Sequence, residues 1–198
     1  MKAITRDEIL PLGAYEAVRD AFRTRVIAEK RLRRLSLGDR MTVVFENHDT
    51  ALLQVQEMLR TERISREAAI VHEIETYNEL VPADGELSAT FMIEIDDKAE
   101  RERFLEAAAG IEAAVSFRVL VDGTPHEARG VWSKDRESGI RASAVLYLKF
   151  PLPPPALEQF AKSHVKDLDA RVVVSHPAYN AEAKLTQPLL ASLKEDLS

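Results

Sequence analysis

The sequence contains no cysteine, only seven glycines and few aromatic residues, and each shortage excludes a class of function. Without cysteine, the chain cannot form disulfides, thiolate nucleophiles or cysteine-ligated zinc and iron–sulfur centres. With so few glycines, the glycine-rich loops that bind phosphates are scarce. Aromatic residues make up only 6% of the chain and do not interleave with its basic stripe, so nucleic-acid binding by base stacking is not expected.

Long apolar runs are also missing. No stretch approaches the roughly 18 apolar residues that a membrane-spanning helix needs. The first ten residues, MKAITRDEIL, carry acidic side chains where a signal peptide would be apolar. We therefore expect a cytoplasmic protein that does not enter a membrane.

Common catalytic motifs are absent as well. The sequence has no GxxxxGK[ST], no GxGxxG after a strand, no HExxH and no GxSxG. The Glu-x-x-His motif of bundle-type di-iron proteins does not occur either. No cofactor is expected on these grounds, no catalytic residue can be assigned, and whether the protein is an enzyme stays open.

Charge is distributed unevenly along the chain. The net charge is −6, but residues 19–40 carry +5 and the remainder −11. At 100° per residue, four cations of the first predicted helix project within about 60° of one another. These are Arg19, Arg23, Lys30 and Arg34. They form either a solvated face whose long side chains cover apolar surface, or an edge that docks phosphate or an acidic partner.

Apolar periodicity predicts one α+β domain over residues 1–198, helical in residues 1–82 and rich in strands in residues 83–198. We expect one largely antiparallel sheet of about six strands, covered by helices. The first helix is predicted over residues 14–34, with a core-facing stripe of Tyr15, Val18, Phe22 and Val26. A polar loop is predicted over residues 133–139.

Polar residues are concentrated after the predicted strand at residues 41–46. Asp49 or Thr50 is expected to cap the helix that follows. The candidate site consists of polar residues from this corner and from the second and third helices: Glu46, Asn47, Asp49, Glu57, Glu73, Tyr77 and Asn78. If they converge, their oxygens could bind a hard metal, and a partly buried Glu73 could act as a base. Alternatively, Glu46, Asn47 and Asp49 hydrogen-bond exposed amides at the corner, and Glu73 pairs with an arginine of the first helix.

Several segments resemble an uncharacterised bacterial family known only as a domain of unknown function. They are KRLRRLSLGDRM, VVFENHDT, QVQEMLR and HEIETYNELVPADGELSAT, and the resemblance covers nearly the whole chain. Members are often encoded beside rubrerythrin-like proteins and a cysteine-rich iron–sulfur protein similar to the small electron-transfer subunit of anaerobic glycerol-3-phosphate dehydrogenase. The resemblance implies an association with peroxide defence or electron transfer, and it supplies no catalytic residues.

Two hypotheses follow. The first is a non-catalytic accessory or assembly partner of a rubrerythrin or iron–sulfur redox system, docked through Arg19, Arg23, Lys30 and Arg34. The alternative is a small enzyme or metal-binding protein that uses the carboxylate-rich site. The sequence leaves the oligomeric state undetermined.

Overall fold

The computed structural model of the protein describes residues 1–132 and 140–198, so the polar loop predicted at residues 133–139 lies outside the described residues. The α-helices are α1 Leu12–Leu32, α2 His48–Thr61, α3 Glu67–Asn78, α4 Lys98–Ala107, α5 Pro154–Lys162 and α6 Gln187–Asp196. The strands are β1 Arg34–Leu37, β2 Met41–Glu46, β3 Glu86–Ile93, β4 Val115–Val121, β5 Thr124–Arg129, β6 Val131–Trp132, β7 Val145–Pro151, β8 Ala170–His176 and β9 Tyr179–Lys184. None of the helices in these two ranges is long and apolar enough to cross a membrane.

All strand pairs are antiparallel, which confirms the predicted α+β class. The strands form two sheets, one of five strands in the order β1-β2-β3-β7-β6 and one of four in the order β5-β4-β8-β9. The prediction of a single sheet of about six strands differs from this arrangement. Two strands were missed: β1 lies in a segment predicted to end the first helix, and β9 has a weakly apolar sequence, YNAEAK.

The main core lies between the two sheets. The ring of Phe117 on β4 lies 5.9 Å from that of Phe45 on β2 and 6.2 Å from that of Phe150 on β7. Phe160 of α5 lies 6.4 Å from the same Phe117 ring. Edge-on and tilted contacts of this kind are the favoured geometries for aromatic pairs. Phe117 therefore lies where both sheets and a covering helix meet.

The N-terminal helices cover the outer face of the five-stranded sheet. Every residue of β2 is buried, so both faces of this strand are covered. A second apolar cluster joins α2, α3 and the N-terminal segment, and Tyr147 of β7 packs against it. The interface between sheet and helices also holds polar side chains: Thr42, Glu46, Ser88 and Thr90 are buried there.

The prediction that one stripe of α1 faces the core was wrong in its middle part. Tyr15 and Val26 are buried as predicted. Val18 is 45% exposed, and Phe22 is only half-buried. The reason is that a groove between α1 and α2 stays open at these positions.

Candidate functional site

The corner between β2 and α2 is stabilised by a reciprocal cap. Asn47, and not Asp49 or Thr50 as predicted, is the N-cap of α2. Its side-chain oxygen accepts from the Thr50 amide at 3.0 Å, while the Thr50 hydroxyl accepts from the Asn47 amide at 2.9 Å. The Asn47 side-chain amide also donates to Glu29 of α1. These contacts satisfy amides that a helix start leaves without partners.

Glu46 is a buried carboxylate at the end of β2. It is 2% exposed, and its Oε1 accepts from the Thr90 hydroxyl at 2.7 Å. Its Oε2 has no hydrogen-bond partner in the described part of the chain, although Lys30 Nζ lies 3.4 Å away. Lys30 therefore supplies the charge that lets this carboxylate remain buried.

Glu57 lies at the centre of a separate network on α2. Both of its oxygens accept from Arg19, each at 2.7 Å, and Oε1 also accepts from the Tyr15 hydroxyl at 2.7 Å. The Arg19 hydrogen bonds are the main cause that lowers the pKa of Glu57 to about 2. Burial, aided by Glu57, raises the pKa of Tyr15. Glu57 is thus held ionised near neutral pH, which makes it a poor proton acceptor.

Asp49 and Asn78 have local partners too. Asp49 accepts from Arg25 at 2.5 Å. Asn78 pairs with both backbone groups of Ile4, at 2.8 and 2.9 Å, and so fixes the N-terminal segment. Glu73 lies on α3 close enough to Tyr77 to influence its pKa.

The predicted carboxylates therefore do not gather around one point. Glu46, Glu57 and Asp49 each contact a different cation. Within residues 1–132 and 140–198, no group of three or more histidine, aspartate or glutamate side chains is placed to hold a metal ion. The polar corner is organised as a set of pairs that join α1 to β2 and α2.

The same pairs engage most of the predicted basic edge of α1. Arg19 binds Glu57, Lys30 lies beside Glu46, and Arg34 contacts Glu94 at 2.7 Å. Arg23 is exposed and has no ion pair within the described residues, and the same holds for Arg31. Three of the four predicted docking cations are thus partly neutralised inside the chain.

An apolar groove between α1 and α2 was not recognised from the sequence. Its volume is about 420 Å³. It is lined by Glu8, Leu10, Tyr15, Val18, Ala21, Phe22, Arg25, Leu52 and Gln56, and we refer to it as the α1–α2 groove. Val18 and Phe22 have the spacing of core positions in the sequence, and only the placement of α2 shows that they stay partly uncovered.

A second concavity, the α3 cavity, lies between α3 and the outer face of β3 and β7. Its volume is about 220 Å³, and it is lined by Thr76, Tyr77, Glu79, Leu80, Ser88, Tyr147 and Lys149. Of these residues, only Tyr77 was a sequence candidate. Cross-strand pairing of Ser88 with Lys149 and of Thr90 with Tyr147 brings the strand residues onto one face, a placement that sequence spacing cannot reveal.

Comparison with known proteins gives a structural relative and a family. A crystal structure of a novel protein of unknown function from Burkholderia pseudomallei K96243 is similar, with a TM-score of 0.88, 33% sequence identity and 100% coverage of both chains. No curated protein matches the chain. Residues 3–197 match the sequence model of a family described as "Protein of unknown function (DUF3501)", and the chain therefore belongs to that family.

Proposed function

We propose that the protein is a non-catalytic accessory protein that binds a protein of a rubrerythrin or iron–sulfur redox system through the α1–α2 groove. The observation that carries the proposal is the exposed apolar face of α1. Val18 is 45% exposed and Leu32 is 55% exposed. At 100° per residue, both lie within about 60° of Ala21 and Arg25 on one face of the helix. Val18, Ala21 and Phe22 of this face line the α1–α2 groove together with Leu10 and Leu52, and a contiguous apolar groove is typical of a protein-binding surface.

The groove has the dimensions of a site for a partner helix. Its volume of about 420 Å³ admits a few side chains from an amphipathic segment. Full burial of a valine or leucine side chain contributes about 1.5 to 3 kcal/mol. Because Val18 and Leu10 are already more than half covered, burying the remainder would add about 1 kcal/mol for each.

The exposed positive charge of α1 as a whole, rather than of the groove lining, favours an acidic partner. Arg25 lines the groove with its side chain 57% exposed, and its guanidinium lies 5.2 Å from the centre of the Phe22 ring. Arg23 and Arg31 add exposed positive charge on the side of α1 that faces away from the groove, about 140° from Val18. Such charges accelerate the encounter with a partner of opposite sign, while apolar contacts hold the complex.

The redox assignment of the partner comes from the family resemblance. A chain without cysteine cannot hold the iron–sulfur cluster itself. The cluster or di-iron centre would therefore reside in the bound protein, and this chain would assist its assembly or its contacts. The individual pairing of Glu46, Glu57 and Asp49 agrees better with this role than with a carboxylate metal site.

Titration of the purified protein with the purified rubrerythrin-like and iron–sulfur proteins of the same host tests the proposal. Val18→Glu places a charge in the groove, and we expect it to weaken binding at least tenfold, which corresponds to about 1.4 kcal/mol. Val71→Glu is the matched control, because Val71 is 38% exposed and lies on α3 outside the groove. Binding of neither protein, or equal weakening by both substitutions, would overturn the proposal.

The contribution of positive charge on α1 to partner binding is tested separately with the double variant Arg23→Glu plus Arg31→Glu. This double variant should lower the association rate and flatten its salt dependence, while the dissociation rate changes little. An unchanged association rate would show that these two arginines do not face the partner's charge.

A further inference from the structure

The α3 cavity contains hydroxyl groups that lack protein partners. Ser88 is 2% exposed, yet it lines the cavity and forms no hydrogen bond with the described residues. The hydroxyls of Tyr77 and Tyr147 likewise have no partner in residues 1–132 and 140–198. Tyr77 and Tyr147 are half-buried, so their hydroxyls and that of Ser88 face the cavity and are free to hydrogen-bond a ligand there.

The cations near the cavity are already neutralised. Lys149 Nζ lies 3.4 Å from Glu86 and 3.5 Å from the carbonyl of Val81. Lys30, which approaches the neighbouring strand, lies 3.4 Å from Glu46. Glu79 lines the cavity but is exposed to solvent. Lys149 therefore offers little spare positive charge to an anionic ligand, and the solvated Glu79 attracts a cationic ligand only weakly.

The remaining hydroxyls are uncharged under ordinary conditions. Burial, together with the nearby Glu73 carboxylate and Tyr147, raises the pKa of the Tyr77 phenol. Tyr77 thus keeps its proton and can donate a hydrogen bond as well as accept one. Neutral hydroxyls of this kind match hydroxyl, amide or carbonyl groups on a ligand.

The size and walls of the cavity limit the ligand further. An apolar cavity of about 150 Å³ is large enough for benzene. The α3 cavity, at about 220 Å³, therefore holds a single ring with polar substituents. Leu80 and the two tyrosine rings supply apolar wall, and Ser88 and Lys149 form a polar floor.

We propose that the α3 cavity is a binding site for a small uncharged molecule, about one ring in size, that carries amide, carbonyl or hydroxyl groups. The site is separate from the α1–α2 groove and does not depend on the accessory function. Its ligand is held by Ser88, Tyr77 and Tyr147, with Lys149 as a further donor. Occupation would link α3 to strands β3 and β7.

Three ring compounds of nearly equal size and different charge test this inference: benzamide, benzoate and benzylamine. Their dissociation constants can be measured by ligand-observed NMR with the full-length protein. We expect benzamide to bind more tightly than either charged probe. Ser88→Ala and Tyr147→Phe should each weaken benzamide about fivefold, the effect of one lost hydrogen bond. Val18→Glu, in the separate groove, should leave benzamide binding unchanged.

A separate substitution, at Glu86, tests whether the ion pair of Lys149 excludes an anionic ligand. Glu86→Gln removes the carboxylate beside Lys149 and leaves the ammonium group unpaired, so benzoate should become the preferred probe. This substitution sits at a half-buried position near a strand end and is tolerated more readily than a change at Ser88. No binding of any probe, or benzamide binding that Ser88→Ala and Tyr147→Phe leave unchanged, would overturn the assignment. A preference of the unsubstituted protein for benzoate or benzylamine would overturn the uncharged class of ligand.

Discussion

Arg33 and Asp196 form a buried ion pair although they lie 163 positions apart in the sequence. The side chains are 1% and 7% exposed. The same guanidinium donates to the carbonyls of Phe45 at 2.8 Å and Glu46 at 3.0 Å, and to the Ser192 hydroxyl at 2.7 Å. One side chain therefore joins the end of β2 to helix α6, close to the polar corner.

This arrangement predicts a large cost for removing one partner. Asp196→Ala leaves a buried guanidinium without its counter-charge, so the free energy of unfolding should fall by about 3 to 5 kcal/mol. Denaturant titration monitored by circular dichroism measures the change.

An exposed pair provides the control. Lys162 and Glu158 of α5 lie 3.0 Å apart with side chains 73% and 69% exposed. Glu158→Ala should change the free energy of unfolding by no more than about 0.5 kcal/mol, as is usual for exposed pairs. If Asp196→Ala and Glu158→Ala lower the free energy of unfolding equally, burial does not determine how much the Arg33–Asp196 pair contributes to stability.

The Glu57 network predicts a specific dependence of stability on pH. Arg19 lowers the pKa of Glu57 from its ordinary 4.5 to about 2, so folding favours the ionised form. The stabilising contribution is fully present above pH 4.5 and is lost as the pH falls toward 2. The difference in unfolding free energy between the unsubstituted protein and Glu57→Gln should therefore shrink over this interval. A difference that stays constant from pH 7 to pH 2 would contradict the assigned network.

Features that depend on a few neighbouring residues could be predicted from the sequence. Thr5 and Glu8 have the spacing of a capping box, and the Glu8 carboxylate accepts from the Thr5 amide at 2.8 Å. Asp122 and Gly123 are a sequence pair typical of a tight hairpin turn, and they form one, with φ values of 48° and 79°. In each case, the determining contacts span three residues or fewer, so local chemistry suffices.

Features that depend on distant pairing could not be predicted. Arg33 was one cation among eight in the basic segment, and nothing near it in sequence indicates a partner on α6. Ser88, Tyr147 and Lys149 become neighbours only through the register of β3 with β7. Val18 has the spacing of a core residue, and only the position of α2 leaves it exposed.

The turn between β1 and β2 gives a further prediction, because Tyr179 of the other sheet closes over it. The Tyr179 hydroxyl donates to the Leu37 carbonyl at 2.5 Å and accepts from the Arg40 amide at 3.2 Å. Gly38 has a φ of 69°, and a Cβ there would collide with the Tyr179 hydroxyl. Gly38→Ala should lower the free energy of unfolding by about 2 to 4 kcal/mol, combining backbone strain with displacement of Tyr179.

Gly123→Ala separates the two contributions. Gly123 has a φ of 79°, but a Cβ there meets nothing within 4 Å. This variant should show the backbone penalty alone, about 1 to 2 kcal/mol. If thermal and denaturant unfolding give the same loss for both substitutions, the Tyr179 contact contributes nothing measurable.

Asn47 distinguishes a structural role from a binding role at the polar corner. Its side chain caps α2 and donates to Glu29, so Asn47→Ala should lower the free energy of unfolding by about 1 kcal/mol, the usual cost of losing an N-cap. Asn47→Ser keeps a capping oxygen and gives up only the contact with Glu29, so it should lose less. Neither variant should alter the affinity for a redox partner or for benzamide. Both affinities should be measured at a temperature well below the unfolding transition of the variant. A variant that folds with full stability but has lost partner binding would instead assign Asn47 to the docking surface, since a cap acts on the helix and not on a ligand.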